Sequence, residues 1–167
     1  MTATLRPSPQ AISVALFVRD LLTYSEQLIK FDRTMTQQDD LNTSYIVVNT
    51  SAQAVTQSRG KTFDGEAEVM KYSATMQQSV TLEFYGDAAY TNADDFLLLS
   101  DSQAARDLKR SLGLTTYNVR QTTDVKQLLG SQYGNRVHVE FNITYTPSRD
   151  VAALRIDSTQ FEFKVED

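Results

Sequence analysis

Val80-Thr-Leu-Glu-Phe-Tyr-Gly-Asp-Ala-Ala-Tyr-Thr-Asn-Ala-Asp-Asp-Phe96 decides the fold. Its first six residues alternate, with Val80, Leu82 and Phe84 on one side and Thr81, Glu83 and Tyr85 on the other. That is the period of a half-buried strand. Gly86-Asp87 supplies turn chemistry. A helix is expected next, capped by Asn92, with Asp94 and Asp95 in its first turn against the positive end of the helix dipole. Arg106, Lys109 and Arg110 stand near the other end and Gly113 closes it. Leu97, Ala104, Leu108 and Leu112 mark a core stripe, and Ser100-Asp101-Ser102 is a point at which this helix can divide into two. The stretch carries no nucleophile with a base in reach, no metal-ligand spacing and no phosphate-cradling glycine loop. Its information is architectural.

Upstream, Ser8-Pro9 pairs an N-cap with proline at the first helical position, where a missing N–H costs nothing. A helix is expected from about Pro9 to about Phe31. Val14, Phe17, Val18, Leu21, Tyr24 and Leu28 form one stripe at helical spacing. Ile12, Ala15, Leu16, Leu22 and Ile29 fall largely outside it, so this helix has apolar residues on two faces. Either it is sandwiched within its own domain, or it packs on its own sheet and on a neighbouring subunit. In the second case Ile12, Leu16, Leu22 and Ile29 are the candidate subunit interface.

Asp32 to Asn42 reads as a polar connection, and Ser44-Tyr-Ile-Val-Val-Asn49 as a buried, β-branched strand. Ser51 to Gly65 is polar and is expected to be a long loop or a mobile hairpin tip. Strands are expected at Glu66–Ala74, Ser79–Tyr85 and Thr115–Arg120, with a short turn at Asp124–Gly130. Arg136 to Tyr145 alternates throughout: Val137, Val139, Phe141, Ile143 and Tyr145 inward, Arg136, His138, Glu140, Asn142 and Thr144 outward. Pro147-Ser-Arg-Asp150 reads as a turn, and Phe161–Val165 as a last alternating strand. Strands with one wet face and short connections make an antiparallel sheet. The expected class is α+β: a mainly antiparallel β-sheet with two principal helices packed on one face.

At 167 residues, the chain suits one domain with a sizeable core. A formal net charge of −5 and the lack of any Lys/Arg cluster argue against tight nucleic-acid binding. With no cysteine there is no disulfide, zinc–thiolate site or thiol nucleophile. The N-terminal residues match neither a signal peptide nor a membrane span, which points to synthesis and first use in a cytoplasm. No cofactor is implied.

Candidate chemistry is thin. His138 is the sole histidine, and Glu140, two residues along the same strand face, is the group that could orient it. No serine sits in a Gly-x-Ser-x-Gly elbow to complete such a site, so a solvated histidine on a sheet is the favoured reading. Asp39-Asp40 and Asp94-Asp95 lack the surrounding oxygen ligands of a calcium loop. The sixteen Phe and Tyr residues divide between inward positions and element ends. Tyr85, Tyr90, Tyr133 and Tyr145 have the amphipathic character found at rims and interfaces.

Tyr85-Gly-Asp-Ala-Ala-Tyr-Thr-Asn-Ala-Asp-Asp-Phe96, followed by Gln132-Tyr-Gly-Asn-Arg-Val-His-Val-Glu140, resembles the tail terminator (neck terminator) proteins of tailed bacteriophages. The resemblance rests on a strand ending in Tyr85-Gly86, a helix start with small residues before Phe96, the Tyr133-x-x-Arg136 opening of a long strand, and the final strand Phe161–Val165. It spans about Leu5 to Val165 as a single α+β domain over residues 1–167, in which 51–65 is more polar and poorer in glycine than the family pattern. Tyr85, Gly86, Phe96, Tyr133 and Arg136 are its motif residues, read as structural. The resemblance implies a non-enzymatic virion protein without catalytic, cofactor or metal sites, built as a ring homo-oligomer, typically a hexamer. Its implied partners are the tail tube protein and the head completion or connector protein, with DNA passing through the lumen without specific binding and no membrane involved. Another head–tail joining or tail-completion protein is the alternative, followed by a small ligand-binding module.

Overall fold

A computed structural model describes residues 7–31, 44–51, 54–124, 127–129 and 132–153. Helix α1 covers Pro9–Leu22. Ser8 caps it as expected, its hydroxyl accepting from the Ala11 N–H at 3.1 Å, and Pro9 sits at the start. The helix ends nine residues short of the expected Phe31. Thr23 turns left-handed at φ 52° and the Tyr24 N–H donates back to the Arg19 carbonyl. A 3-10 turn, Glu26–Leu28, then leads into strand β1, Ile29–Phe31. Ile29 and Phe31 therefore lie on one side of a strand and not on a helix stripe. Parallel pairing of β1 with β2, Tyr45–Thr50, outweighs the local helical pattern.

Strand β3, Val55–Asp64, replaces most of the expected Ser51–Gly65 loop. It pairs antiparallel with β4, a 17-residue strand over Val69–Tyr85 that merges the two strands expected there. At about 3.3 Å per residue β4 is about 55 Å long, so it serves both the body and a projecting arm. Its second half, Val80–Tyr85, pairs with β2; its first half pairs with β3 on that same side. Polarity misled the loop reading: in a two-sided exposed ribbon, polar residues take part in ladders as readily as apolar ones.

Gly86 follows at φ 86°, a conformation glycine takes without steric cost. Helix α2, Ala89–Leu99, starts earlier than expected. Asn92 and Asp94–Asp95 lie inside it, and its N-cap position is Ala88, whose N–H donates to the Ser44 hydroxyl 3.0 Å away. Ser100-Asp101-Ser102 does divide the helical region. Helix α3, Gln103–Ser111, has Ser102 as N-cap, accepting from the Ala105 N–H at 3.1 Å. Gly113, at φ 64°, closes the α3 end.

Strand β5 spans Thr115–Asp124, and a small hairpin, β6 Gln127–Leu129 with β7 Gln132–Gly134, occupies the expected Asp124–Gly130 turn. Strand β8 is Arg136–Tyr145 as read. The expected turn at Pro147–Asp150 is instead largely strand β9, Ser148–Ala152, because its backbone pairs with Val69–Ser73 of β4. The last predicted strand, Phe161–Val165, and the Asp32–Asn42 connection lie outside the described residues.

The main sheet runs β1-β2-β4-β8-β5, with β3 and β9 flanking the outer half of β4. Apart from the parallel β1–β2 pair it is antiparallel, giving an α+β fold with three helices on one face. Val80, Leu82, Phe84, Val137, Val139, Phe141 and Ile143 meet Val14, Phe17 and Val18 of α1 and Ala93 and Phe96 of α2 in one core. Phe96 anchors it, its ring edge-on to Phe17 at 6.1 Å and tilted against Phe141 at 5.7 Å. Ala105, not the predicted Ala104, is the buried alanine of α3.

Candidate functional site

The sheet face away from the helices holds Tyr85 and Arg136. Register places Tyr85 of β4 opposite Tyr45 of β2 on one side and Arg136 of β8 on the other. Tyr45 and Tyr85 stack with ring centroids 4.6 Å apart, and the Arg136 guanidinium lies 5.4 Å from the Tyr85 ring centre. Glu83, two residues before Tyr85 on the same face, takes Arg136 Nη2 at 2.7 Å. Its other oxygen accepts from Asn49 Nδ2 at 2.9 Å, and the Tyr85 hydroxyl donates to the same oxygen as Arg136. Both charged side chains are more than nine-tenths buried. Val47, Leu28 and the Lys30 ammonium, 4.3 Å over the Tyr45 ring, complete the cluster. The turn is tied into it by the backbone, since the Gly86 N–H donates to the Asn135 carbonyl at 3.3 Å.

The structure thus joins three of the five motif residues, Tyr85, Gly86 and Arg136, at one end of the sheet. Phe96 is on the opposite face, in the core. Tyr133 stands in β7 opposite Leu128, three residues ahead of Arg136. Arg136 was expected outward and wet; it is outward but buried, because Glu83 and the stacked tyrosines cover it. Glu83 itself was missed as an ion-pair partner. The available signal was a carboxylate at an alternating position two residues before a Tyr-Gly strand end. This buried pair ties β4 to β8, although Arg136 Nε is left without a hydrogen-bond partner.

His138 lies on the same face opposite Glu83, with a buried Nε2 that has no hydrogen-bond partner. Glu140 does not orient it; its carboxylate is 3.7 Å from Arg120. A groove of about 640 Å³ opens beside that ion pair, lined by Ser79, Thr81, Asn118, Arg120, Glu140 and Asn142. It holds one carboxylate, already facing a guanidinium, and no nucleophile with a base. Among the described residues no three His, Asp or Glu side chains gather as a metal site would need, and no helix is long and apolar enough to cross a membrane.

The candidate interface residues separate. Ile12 is 43% exposed on α1, while Leu16 is half-buried one turn along. Ile29 comes from β1, and with Pro7, Ala15 and Phe31 these residues line a second groove of about 280 Å³, apolar except for Arg19 and Glu26 at its rim. Leu22 and Ile29 are partly buried and pack against the core.

The model of the phage neck terminator protein family matches residues 11–167, nearly the whole chain. The chain belongs to the phage neck terminator family. This neck terminator is accordingly a structural protein of the phage neck, at the junction of tail and head. A search of curated proteins returned no match. The two segments that carried the resemblance meet where Tyr85, at the end of β4, pairs with Arg136, at the start of β8.

Proposed function

We propose that this neck terminator closes into a ring, six-fold in the family manner, that caps the completed tail tube and offers its opposite face to the head completion complex. The observation that carries this reading is the second apolar surface of α1. Val14, Phe17 and Val18 are spent on the core, yet Ile12 and Leu16 still border an apolar groove beside edge strand β1. A lone subunit gains nothing by keeping such a groove wet; a ring neighbour would bury it. Ile12, Leu16 and Ile29 form this proposed lateral contact, and Leu22 supports it from the core side. A chain of net charge −5 suits a lumen through which DNA passes, since like charge keeps phosphate from adhering.

Electron microscopy of particles made with the gene deleted tests the reading. Overlong tails are the expected result for a protein that stops tube growth. Tails of normal length that never join heads would shift the assignment to another head–tail joining or tail-completion role. Normal infectious particles would overturn both.

A further inference from the structure

We infer that the arm formed by β3, β4 and β9 docks on helix α2 of the neighbouring copy of this chain. Directly paired residues of antiparallel strands share a face. Pairing of Phe63 with Met70 and Val151, and of Lys61 with Tyr72 and Arg149, therefore places all six on one face of the arm. Arg59, opposite Ala74, extends the same face. The alternation that sends Val80, Leu82 and Phe84 under the helices continues along β4 to Ala74, Tyr72 and Met70, beyond the helical layer. Phe63, Tyr72 and Val151 are 41%, 49% and 46% exposed. This face is apolar at its centre and carries three cations and no carboxylate; Asp64 and Asp150 are on the reverse, paired with Val69 and Lys71.

The complement stands on the body of the same chain. Tyr90, Asp94 and Leu98 follow one another at four-residue spacing along α2, and Asp95 and Leu99 flank them. Leu98 is 78% exposed and Leu99 40%, while Asp94 and Asp95 are exposed beside them. One patch is apolar and basic and the other apolar and acidic, on different elements of one subunit. Such a pair makes a head-to-tail contact, the kind that closes rings. An acidic tip, with Asp64, Glu66 and Glu68 about the turn, disfavours nucleic acid as the occupant. The inference rests on the ring reading and names a contact within it.

The absence of cysteine gives a clean test. Full-length Tyr72→Cys/Leu98→Cys is oxidised at high concentration and run on a non-reducing gel, beside each single variant and the cysteine-free chain treated with an amine cross-linker. A ladder up to the closed ring is expected from the double variant, and nothing beyond a dimer from either single variant. Lys61→Glu/Arg149→Glu added to that background should cut the ladder about tenfold or more, and Asp94→Lys/Asp95→Lys in the same chain should restore it. If amine cross-linking yields rings while the cysteine pair gives no ladder, the arm contact is wrong and the ring stands. If neither yields oligomers, the comparison is repeated in isolated tails, where an empty result overturns both.

Discussion

Glu83 and Arg136 are 53 residues apart in sequence and bonded at 2.7 Å. Both are buried, so each depends on the other, and Glu83 also on the donors of Asn49 and Tyr85. Breaking a buried pair leaves an uncompensated charge, at a cost of about 3–5 kcal/mol. Arg136→Met and Glu83→Gln should each fall in that range in urea unfolding. Glu83→Leu/Arg136→Met should lose much less than the two together, because no charge is then left buried. Additive losses would show that the pair is not coupled. Arg136 was legible as a motif position and as outward-facing, but its burial was not. Burial depends on what lies over a residue in space, here Glu83 and two stacked tyrosines contributed by two other strands, β4 and β2, and alternation along one strand carries no such information.

Elements in this fold are often finished by distant residues, which explains where their boundaries were misread. Helix α2 is the clearest case: its N-terminal Ala88 N–H is met by the hydroxyl of Ser44, at the threshold of β2. The Ser44 carbonyl accepts from the Tyr24 hydroxyl at 2.8 Å, so one serine joins the end of α1, the start of β2 and the start of α2. No local pattern around Asn92 could reveal this, whereas Ser8 and Ser102, which cap their own helices, follow the ordinary local rule. The β1, β3 and β9 ladders were missed likewise, since their partners are remote or their residues polar, while β8, buried on one face along its length, was read correctly. Tyr24 offers a test of the junction. Burial raises its pKa above the usual 10.0, with a hydrogen bond to Asn92 pulling the other way. A folded pKa raised above the unfolded value means that the contribution is whole below pH 10 and is lost as pH rises through the folded value. Tyr24→Phe should cost about 1 kcal/mol at neutral pH through the lost hydrogen bond. The gap between wild type and variant should narrow above pH 10 when urea midpoints are compared across the alkaline range. A gap that widens there would contradict the assignment.

For the whole molecule, helix α1 serves folding with one side and, in the proposed ring, assembly with the other. Helix α1 gives Val14, Phe17 and Val18 fully to the core, where Phe17 meets the Phe96 ring and lies under the Lys109 ammonium at 5.6 Å. Its other side, Ile12 and Leu16, borders the groove beside β1. These two sets differ in what they would lose on substitution. Phe17→Ser removes a filled core volume, at about 3–5 kcal/mol, and buries a hydroxyl at about 1–3 kcal/mol more, a sum that matches the whole stability of a domain at the lower end of the ordinary range. Ile12→Gln/Leu16→Gln touches an exposed and a half-buried position, so its stability change should be nearer the surface range of about 0.5 kcal/mol per site. Circular dichroism and thermal unfolding should therefore find the groove variant folded and the core variant not. In particles, the folded groove variant should nevertheless fail to terminate or join tails, because the surface it lacks is the one proposed for the neighbour. If the groove variant unfolds as readily as the core variant, α1 is simply sandwiched within its own subunit. The lateral contact would then have to be carried elsewhere, with the arm and α2 as the remaining complementary surfaces.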